Sequence, residues 1–151
     1  MAITLQISVS KGDVFDNVKK ATGYTASKMV GDEDTYERIA VTQGELEDLG
    51  VFWLEACNIA TDLLKPFIGG GVETDNYQVT LDMPSSFDGN LSASINSSLN
   101  NFFILYITSR WFKYANKSEA SSTLENAEAM LADVKRKIYY KKKPTRVNTF
   151  N

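Results

Sequence analysis

The residues with the clearest chemical potential lie at the end of the chain, where residues 135–151 carry seven basic side chains and no acid. Residues 1–134 carry 9 basic and 19 acidic side chains, so the end and the body of the chain have opposite charge. A basic segment of this kind binds nucleic acid by releasing counterions from phosphates, or it binds an acidic protein surface. The charge distribution predicts a partner for the end of the chain, and charge alone leaves both classes of partner open.

This basic end divides into two parts where the last helix is expected to stop. Lys135, Arg136 and Lys137 are typical of a helix C-terminus, where cations interact favourably with the helix dipole. Beyond them Pro144 favours an extended tail, and the apolar Phe150 would be unusual in an arm that binds only phosphates. We therefore expect a tail that docks on another protein, with DNA binding as the alternative. The residues expected to contact the partner are Tyr139, Tyr140, Lys141, Lys142, Lys143, Arg146 and Phe150.

The residue types that most catalytic sites need are absent or isolated. The chain has no histidine and a single cysteine, Cys57, which excludes Ser–His and Cys–His catalysis, histidine-assisted zinc sites and an internal disulfide. The acidic clusters at 32–34 and 45–48 lack the spacing of a calcium loop, and the glycines at 69–71 are not followed by the residues of a phosphate-binding loop. We expect no catalytic site, no cofactor and no metal; only carboxylates brought together by folding could supply acid–base groups.

Two segments alternate apolar and polar residues, which is the pattern of a strand with one buried face. The first lies within residues 3–10, and the second contains Tyr77, Val79 and Leu81. They are too far apart in sequence for a simple hairpin. Each strand could therefore pair with the other or with a neighbouring subunit.

Four segments have the three- and four-residue apolar spacing of helices. A short helix is expected from Asp13 to about Gly23, and a long one after the capping box at 42–45. A second long helix begins at Asp88 or Asn90, and its aromatic residues are expected in the core. The last helix is predicted to bury Ala120, Leu124, Ala127, Leu131, Val134 and Ile138.

These elements predict one mainly α domain, a small bundle of three long helices plus a short one. We expect an N-terminal extended arm at 1–12, the bundle at 13–138 with a projecting loop and short strand at 69–90, and a basic C-terminal docking tail at 139–151. No apolar run approaches the roughly 20 residues that span a bilayer, and the alternating start is unlike a secretory signal. We expect a soluble protein that is made in the cytoplasm and has no membrane partner.

The order of these elements resembles the head–tail connector (adaptor) proteins of tailed bacteriophages. The likeness covers most of residues 13–146 and depends on layout, size and the basic terminus, whereas the alternating N-terminal arm departs from that family. The segments that carry it are the Leu46 to Trp53 helix, the glycine-rich loop, the strand from Tyr77 to Leu81, the helix with Phe102, Phe103, Trp111 and Phe112, and the terminal helix running into Tyr139 to Arg146.

The resemblance implies a structural virion protein at the head–tail junction, or neck, made in the host cytoplasm. Such subunits form a ring, typically a dodecamer, that joins the portal protein to the downstream tail or neck proteins and lines the DNA exit path. Tyr77, Val79 and Leu81 would then belong to an inter-subunit loop and strand, and residues 139–151 would dock on the portal or a neighbour. The alternative is a small phage-encoded DNA-binding or packaging accessory protein that uses its basic tail.

Overall fold

Apolar periodicity along the chain produces four α-helices and a two-stranded sheet in residues 3–28 and 46–142, the part that the computed structural model describes. The elements are β1 (Ile3–Val9), α1 (Lys11–Lys28), α2 (Leu46–Leu64), β2 (Tyr77–Met83), α3 (Ser92–Ala115) and α4 (Lys117–Ile138), with 3-10 turns at Lys65–Phe67 and Gly89–Leu91. The predicted mainly helical bundle is confirmed. None of the helices in these residues combines the length and the apolar character needed to cross a membrane.

Helix α2 follows its sequence pattern closely. Leu49, Trp53, Ala56 and Ala60 are spaced by three and four residues, and all four are buried. Since this spacing places them on one side of the helix, they form a single stripe that packs inward. Pro66 then lies in the 3-10 turn that follows α2, because proline has no N–H for an α-helical hydrogen bond but fits the first turn of a helix.

Helix α1 is longer than its sequence predicts, because it passes Gly23 and ends at Lys28. Val14, Val18 and Thr22 are buried at intervals of four residues. The Thr22 hydroxyl donates a hydrogen bond to the Val18 carbonyl (2.9 Å), which satisfies a polar group inside the apolar stripe. A single glycine costs a helix only about 1 kcal/mol, so packing of the stripe is enough to continue α1 through Gly23.

Strands β1 and β2 pair with each other in antiparallel register, from Ile3 opposite Met83 to Val9 opposite Tyr77. The apolar residues of both strands face the core, whereas the intervening polar residues lie on the other side of the sheet. Of the two pairings that the sequence left open, the structure has the intramolecular one. The expected N-terminal arm is therefore a strand of the domain over residues 3–9.

The second edge of β2 also has backbone partners, and they come from the segment that follows α2. The Gly69 N–H donates to the Thr80 carbonyl (3.1 Å), and Glu73 and Gln78 exchange both of their backbone hydrogen bonds (3.0 and 3.1 Å). On the outer edge of β1, the Ser8 N–H donates to Asn96 Oδ1 of α3 (3.1 Å). Because both of its edges are paired, β2 lies in the middle of this small sheet.

Helix α3 is the centre of the bundle and contacts α1, α2, α4 and β1. The Phe103 ring lies 4.9 Å from that of Trp53 and 5.3 Å from that of Tyr77, measured between centroids. Burial of Phe102, Phe103, Trp111 and Phe112 confirms the expectation that the aromatic residues of this helix belong to the core.

Helix α4 faces α3 with most of the predicted stripe, since Ala127, Val134 and Ile138 are buried and Ala120 and Leu131 are partly buried against the core. The prediction is wrong at Leu124. Thr123 is buried, whereas its neighbour Leu124 is 39% exposed. The buried positions of α4 are Thr123, Ala127, Val134 and Ile138. Small side chains at 123 and 127 allow the two helices to approach closely, and the Thr123 hydroxyl donates to the Glu119 carbonyl (2.8 Å). Close approach therefore turns Leu124 away from the interface.

Candidate docking site

Residues 139–142, here called the exit segment, follow α4 and are held in place by their backbone. Where α4 ends, the Tyr139 and Tyr140 N–H groups donate to the Lys135 and Lys137 carbonyls (both 3.2 Å). Lys141 then forms an antiparallel bridge with Phe87, and the Lys142 N–H donates to the Ser86 carbonyl (2.9 Å). These bonds fix the backbone of the exit segment against the loop at residues 86–87.

The side chains of the exit segment are turned towards solvent. Tyr139 is 54% exposed and Tyr140 is 48% exposed, and Lys141 and Lys142 are also exposed. The Tyr139 ring meets Phe67 edge-on at 5.3 Å, which orients it without covering it. Two aromatic rings and two cations therefore form a preorganised surface on a fixed backbone, and preorganisation lowers the entropy cost of binding.

Lys137 has a different role from the neighbouring cations, because its side chain folds back onto α3. Its ammonium pairs with Asp133 (2.5 Å) and donates to Ser94 Oγ (2.6 Å) and Ser98 Oγ (3.1 Å). Ser98 in turn donates to Asp133 (2.7 Å). Arg136 also pairs with Asp133 from the solvent side. The grouping of Lys135, Arg136 and Lys137 as equivalent helix-end cations is therefore too simple, since Lys137 ties α4 to α3.

A serine beside a lysine is also the arrangement of a nucleophile and its base in some catalytic sites. Hydrogen bonds from Lys137 and Ser98 lower the pKa of Asp133 to about 2, so this carboxylate stays charged above that pH. Lys137 Nζ donates hydrogen bonds to both Ser94 and Ser98 and pairs with Asp133, whereas a general base must accept the proton of the serine. The cluster is therefore best understood as a structural tie between the two helices.

A groove of about 290 Å³ lies beside the exit segment, lined by Asp88, Leu91, Arg136, Lys137 and Tyr140. Asp88 begins the turn at Gly89–Leu91, where its carboxylate accepts a hydrogen bond from the Asn90 N–H (3.1 Å). The groove extends the surface of the exit segment towards the start of α3. No group of three or more histidine, cysteine or acidic residues in the described ranges is arranged to hold a metal ion.

The residues predicted to contact partners have three different fates. Tyr139, Tyr140, Lys141 and Lys142 lie together at the surface, whereas Lys143, Arg146 and Phe150 lie outside the described residues. Tyr77, Val79 and Leu81 are buried in the core of their own chain. Their side chains point inward because of the alternation along β2, and both edges of the strand have partners within the chain. Their contact between subunits stays a prediction.

One exposed surface was not predicted from the sequence, and we call it the outer face of α2. It consists of Asp48, Val51, Leu54, Asn58 and Asp62, all exposed and spaced by three or four residues. Val51 is 59% and Leu54 is 51% exposed. A groove of about 410 Å³ beside Val51 reaches Phe52 and Trp111. A signal was present, because Val51 and Leu54 fall outside the apolar stripe that the rest of α2 buries.

The exit segment and the groove beside Val51 lie at opposite ends of the bundle. Lys137 contacts Ser94 near the start of α3, while Val51 and Trp111, near the end of α3, line one groove. The 17 residues between Ser94 and Trp111 correspond to about 25 Å at the helical rise of 1.5 Å.

The interpretation of the exit segment and of the outer face of α2 depends on their geometry and charge alone. The chain matches no protein-family model, no curated protein and no solved structure.

Proposed function

We propose that this protein is a non-enzymatic structural subunit that assembles with other proteins through the exit segment and the tail that follows it. The observation that carries the proposal is a fixed backbone that presents Tyr139, Tyr140, Lys141 and Lys142 to solvent. Aromatic residues are enriched in protein interfaces, because they offer a large contact area at a small entropy cost. We therefore expect these four exposed side chains to contact a protein partner.

In its specific form, the proposal is a head–tail connector subunit of a tailed bacteriophage. The subunit forms a ring, joins the portal to the tail or neck, and lines the path of the DNA. Support comes from the mainly helical bundle, the order of its elements and the basic end of an otherwise acidic chain. Opposite charges on body and end favour contacts between unlike surfaces, which is the interface type that builds rings.

The test is to measure the mass of the purified protein alone and after mixing with the portal protein of the same phage. We expect species larger than the 16.8 kDa single chain. The double variant Lys141→Glu/Lys142→Glu should bind the portal at least tenfold more weakly, because it places acids where cations face the partner. Lys113→Glu/Lys117→Glu changes the net charge equally at the other end of α3 and should bind as the unmodified protein does. A protein that associates with neither itself nor the portal would contradict the proposal.

DNA binding is the second candidate function, and the exposed cations Lys141 and Lys142 favour it. Neither lysine has an ion-pair partner among the described residues. If the tail binds duplex DNA, affinity should fall steeply with salt. Neutralising Lys141, Lys142, Lys143 and Arg146 should reduce the slope of log K against log salt by about 3 to 4, since each phosphate contact contributes about 0.9. Absence of salt-dependent binding would exclude this function.

A further inference from the structure

The outer face of α2 combines exposed apolar side chains with unpaired acids. Val51 is the most exposed large apolar side chain in the described ranges, and Leu54 is more exposed than either Tyr140 or Leu124. Asp48 and Asp62 lie on the same face, at the two ends of this pair. An apolar centre with a polar rim is the usual anatomy of a protein interface.

The charge of this face is negative throughout. The segment Leu46–Leu64 contains four acids and no base. One of the acids, Glu55, is already occupied, because Arg110 Nη2 donates to it (3.2 Å) and the Tyr106 hydroxyl donates to it as well (2.9 Å). Asp48 and Asp62 have no ion-pair partner among the described residues. The face therefore suits a partner with apolar rings and cations.

The exit segment has the complementary composition, with two exposed tyrosines followed by two exposed lysines. Within one chain the two surfaces cannot meet fully. Tyr139 is fixed on Phe67 and Lys142 is bonded to Ser86, whereas the groove beside Val51 lies about 25 Å away along the bundle at the helical rise of 1.5 Å per residue. The exit segment can cover the apolar centre of the outer face only if it comes from another copy.

We propose that the outer face of α2 binds the exit segment of a second copy of this chain. Tyr139 and Tyr140 of one copy pack on Val51 and Leu54 of the next, and the two lysines that follow them face Asp48, which lies about one helical turn from Val51. Because the two surfaces differ, a pair of copies still has one free surface of each kind, and the contact continues until a ring closes or a filament grows. This inference rests on the proposed function, since it assigns the exit segment to the contact between neighbours in the ring and leaves the tail from residue 143 onward for the portal.

Two variants that each remove one surface test the contact. Val51→Lys/Leu54→Lys removes the outer face and keeps the exit segment, and Lys141→Glu/Lys142→Glu does the reverse. Each variant alone should be monomeric at concentrations where the unmodified protein assembles. Mixed in equal amounts, they share one intact pair of surfaces and should give a complex of twice the 16.8 kDa single-chain mass. Formation of that complex also shows that both variants are folded.

The matched control is Leu124→Lys, which places a cation at an exposed apolar residue on neither surface. This variant should assemble as the unmodified protein does. The inference is overturned if the outer-face variant assembles normally, if the mixture stays monomeric, or if the unmodified protein never self-associates. In each of these cases, binding of the unmodified protein to the portal would still support the proposed function. Loss of portal binding as well as self-association would remove both.

Discussion

Helix α3 is held on its two sides by different kinds of contact. Against α2 the contact is aromatic, with Trp53 packed on Phe103 and its indole N–H donating to the Thr74 carbonyl (2.6 Å). Against α4 two of the four buried residues of that helix, Thr123 and Ala127, are small, and Asp133 and Lys137 tie the end of the helix to Ser98 and Ser94 of α3. The aromatic side depends on the area it buries, whereas the small-residue side depends on close approach and on charge.

The contact between α4 and α3 explains why the exit segment has a fixed position and is still exposed to solvent. A helix that packs chiefly on one neighbour through small residues leaves its remaining surface free for other contacts. The ionic tie at Asp133 then fixes its C-terminal end, so that residues 139–142 start from a defined position. The Asp133 cluster therefore fixes the position of the exit segment, whereas the packing of α4 on one neighbour leaves the segment exposed.

Removal of the aromatic contact should have the largest effect. Trp53→Ala should lower the free energy of unfolding by about 3–5 kcal/mol, because it leaves a cavity between α2, α3 and β2. Trp53→Phe keeps most of the volume and loses the hydrogen bond to Thr74, so a smaller loss of about 1–3 kcal/mol is expected from the unpaired carbonyl. Urea denaturation followed by circular dichroism measures both. Equal losses in the two variants would show that the hydrogen bond, and not the packing, dominates this side.

Enlargement of a small residue tests the other side. Ala127→Leu should destabilise the fold by about 1–3 kcal/mol, because additional methylene groups force α4 away from α3. The control Leu124→Ala changes an exposed position and should stay within about 0.5 kcal/mol. Thermal unfolding of the two variants provides the comparison. If Ala127→Leu were neutral, the two helices would not be as closely packed as proposed here.

Acid should weaken the α4 side through Asp133. Its pKa lies at about 2 in the folded protein, below the ordinary value of 3.8, because of hydrogen bonds from Lys137 and Ser98. A lowered pKa means that this stabilisation is complete above about pH 4 and is lost as the pH falls towards 2. Asp133→Asn should cost about 1–2 kcal/mol at pH 7, and the gap to the unmodified protein should close as pH falls to 2. Glu125→Gln, on the exposed side of α4, should show no such gap.

The smallest effect is expected from helix propensity, which is independent of either interface. Gly50 lies inside α2, and a Cβ added there would meet no atom within 4 Å. Gly50→Ala should therefore stabilise the protein by about 0.5–1 kcal/mol. Gly69→Ala is the contrasting variant, because its Cβ would meet the Asp82 carboxylate. Its stability should therefore increase less than that of Gly50→Ala. A loss of stability in Gly50→Ala would show that α2 needs the flexibility of glycine.

Much of the architecture was predicted from apolar spacing within single segments. The incorrect predictions are as informative as the correct ones. The stripe of α2 and the aromatic core of α3 were predicted because three- and four-residue spacing identifies a buried face within one helix. Leu124 was assigned to the core incorrectly, since its spacing fits a stripe as well as that of Thr123 does. The choice between two adjacent stripes depends on how closely α4 approaches α3, and spacing within α4 contains no information about that distance.

The candidate site divides in the same way. Sequence alone identified the exposed tyrosines and lysines of residues 139–142, because a basic run beyond a helix end has no partner nearby in the chain. It could not show that Lys137 turns inward to Asp133 and Ser94, since Ser94 is distant in sequence and close only after folding. For the same reason it left open whether the strand with Tyr77 pairs within its chain or with a neighbouring subunit, and the structure pairs it with β1.

By itself, then, the sequence determined the helical bundle, the two strands and the charge of the chain end, because each is encoded by periodicity or composition within one segment. Only the tertiary structure decided that β1 pairs with β2, that Leu124 is exposed, and that Val51 and Leu54 face solvent on α2. Those outcomes depend on which surfaces remain uncovered once distant segments have packed. Whether a residue is buried depends on how all the elements pack, and the sequence of a single segment does not determine it.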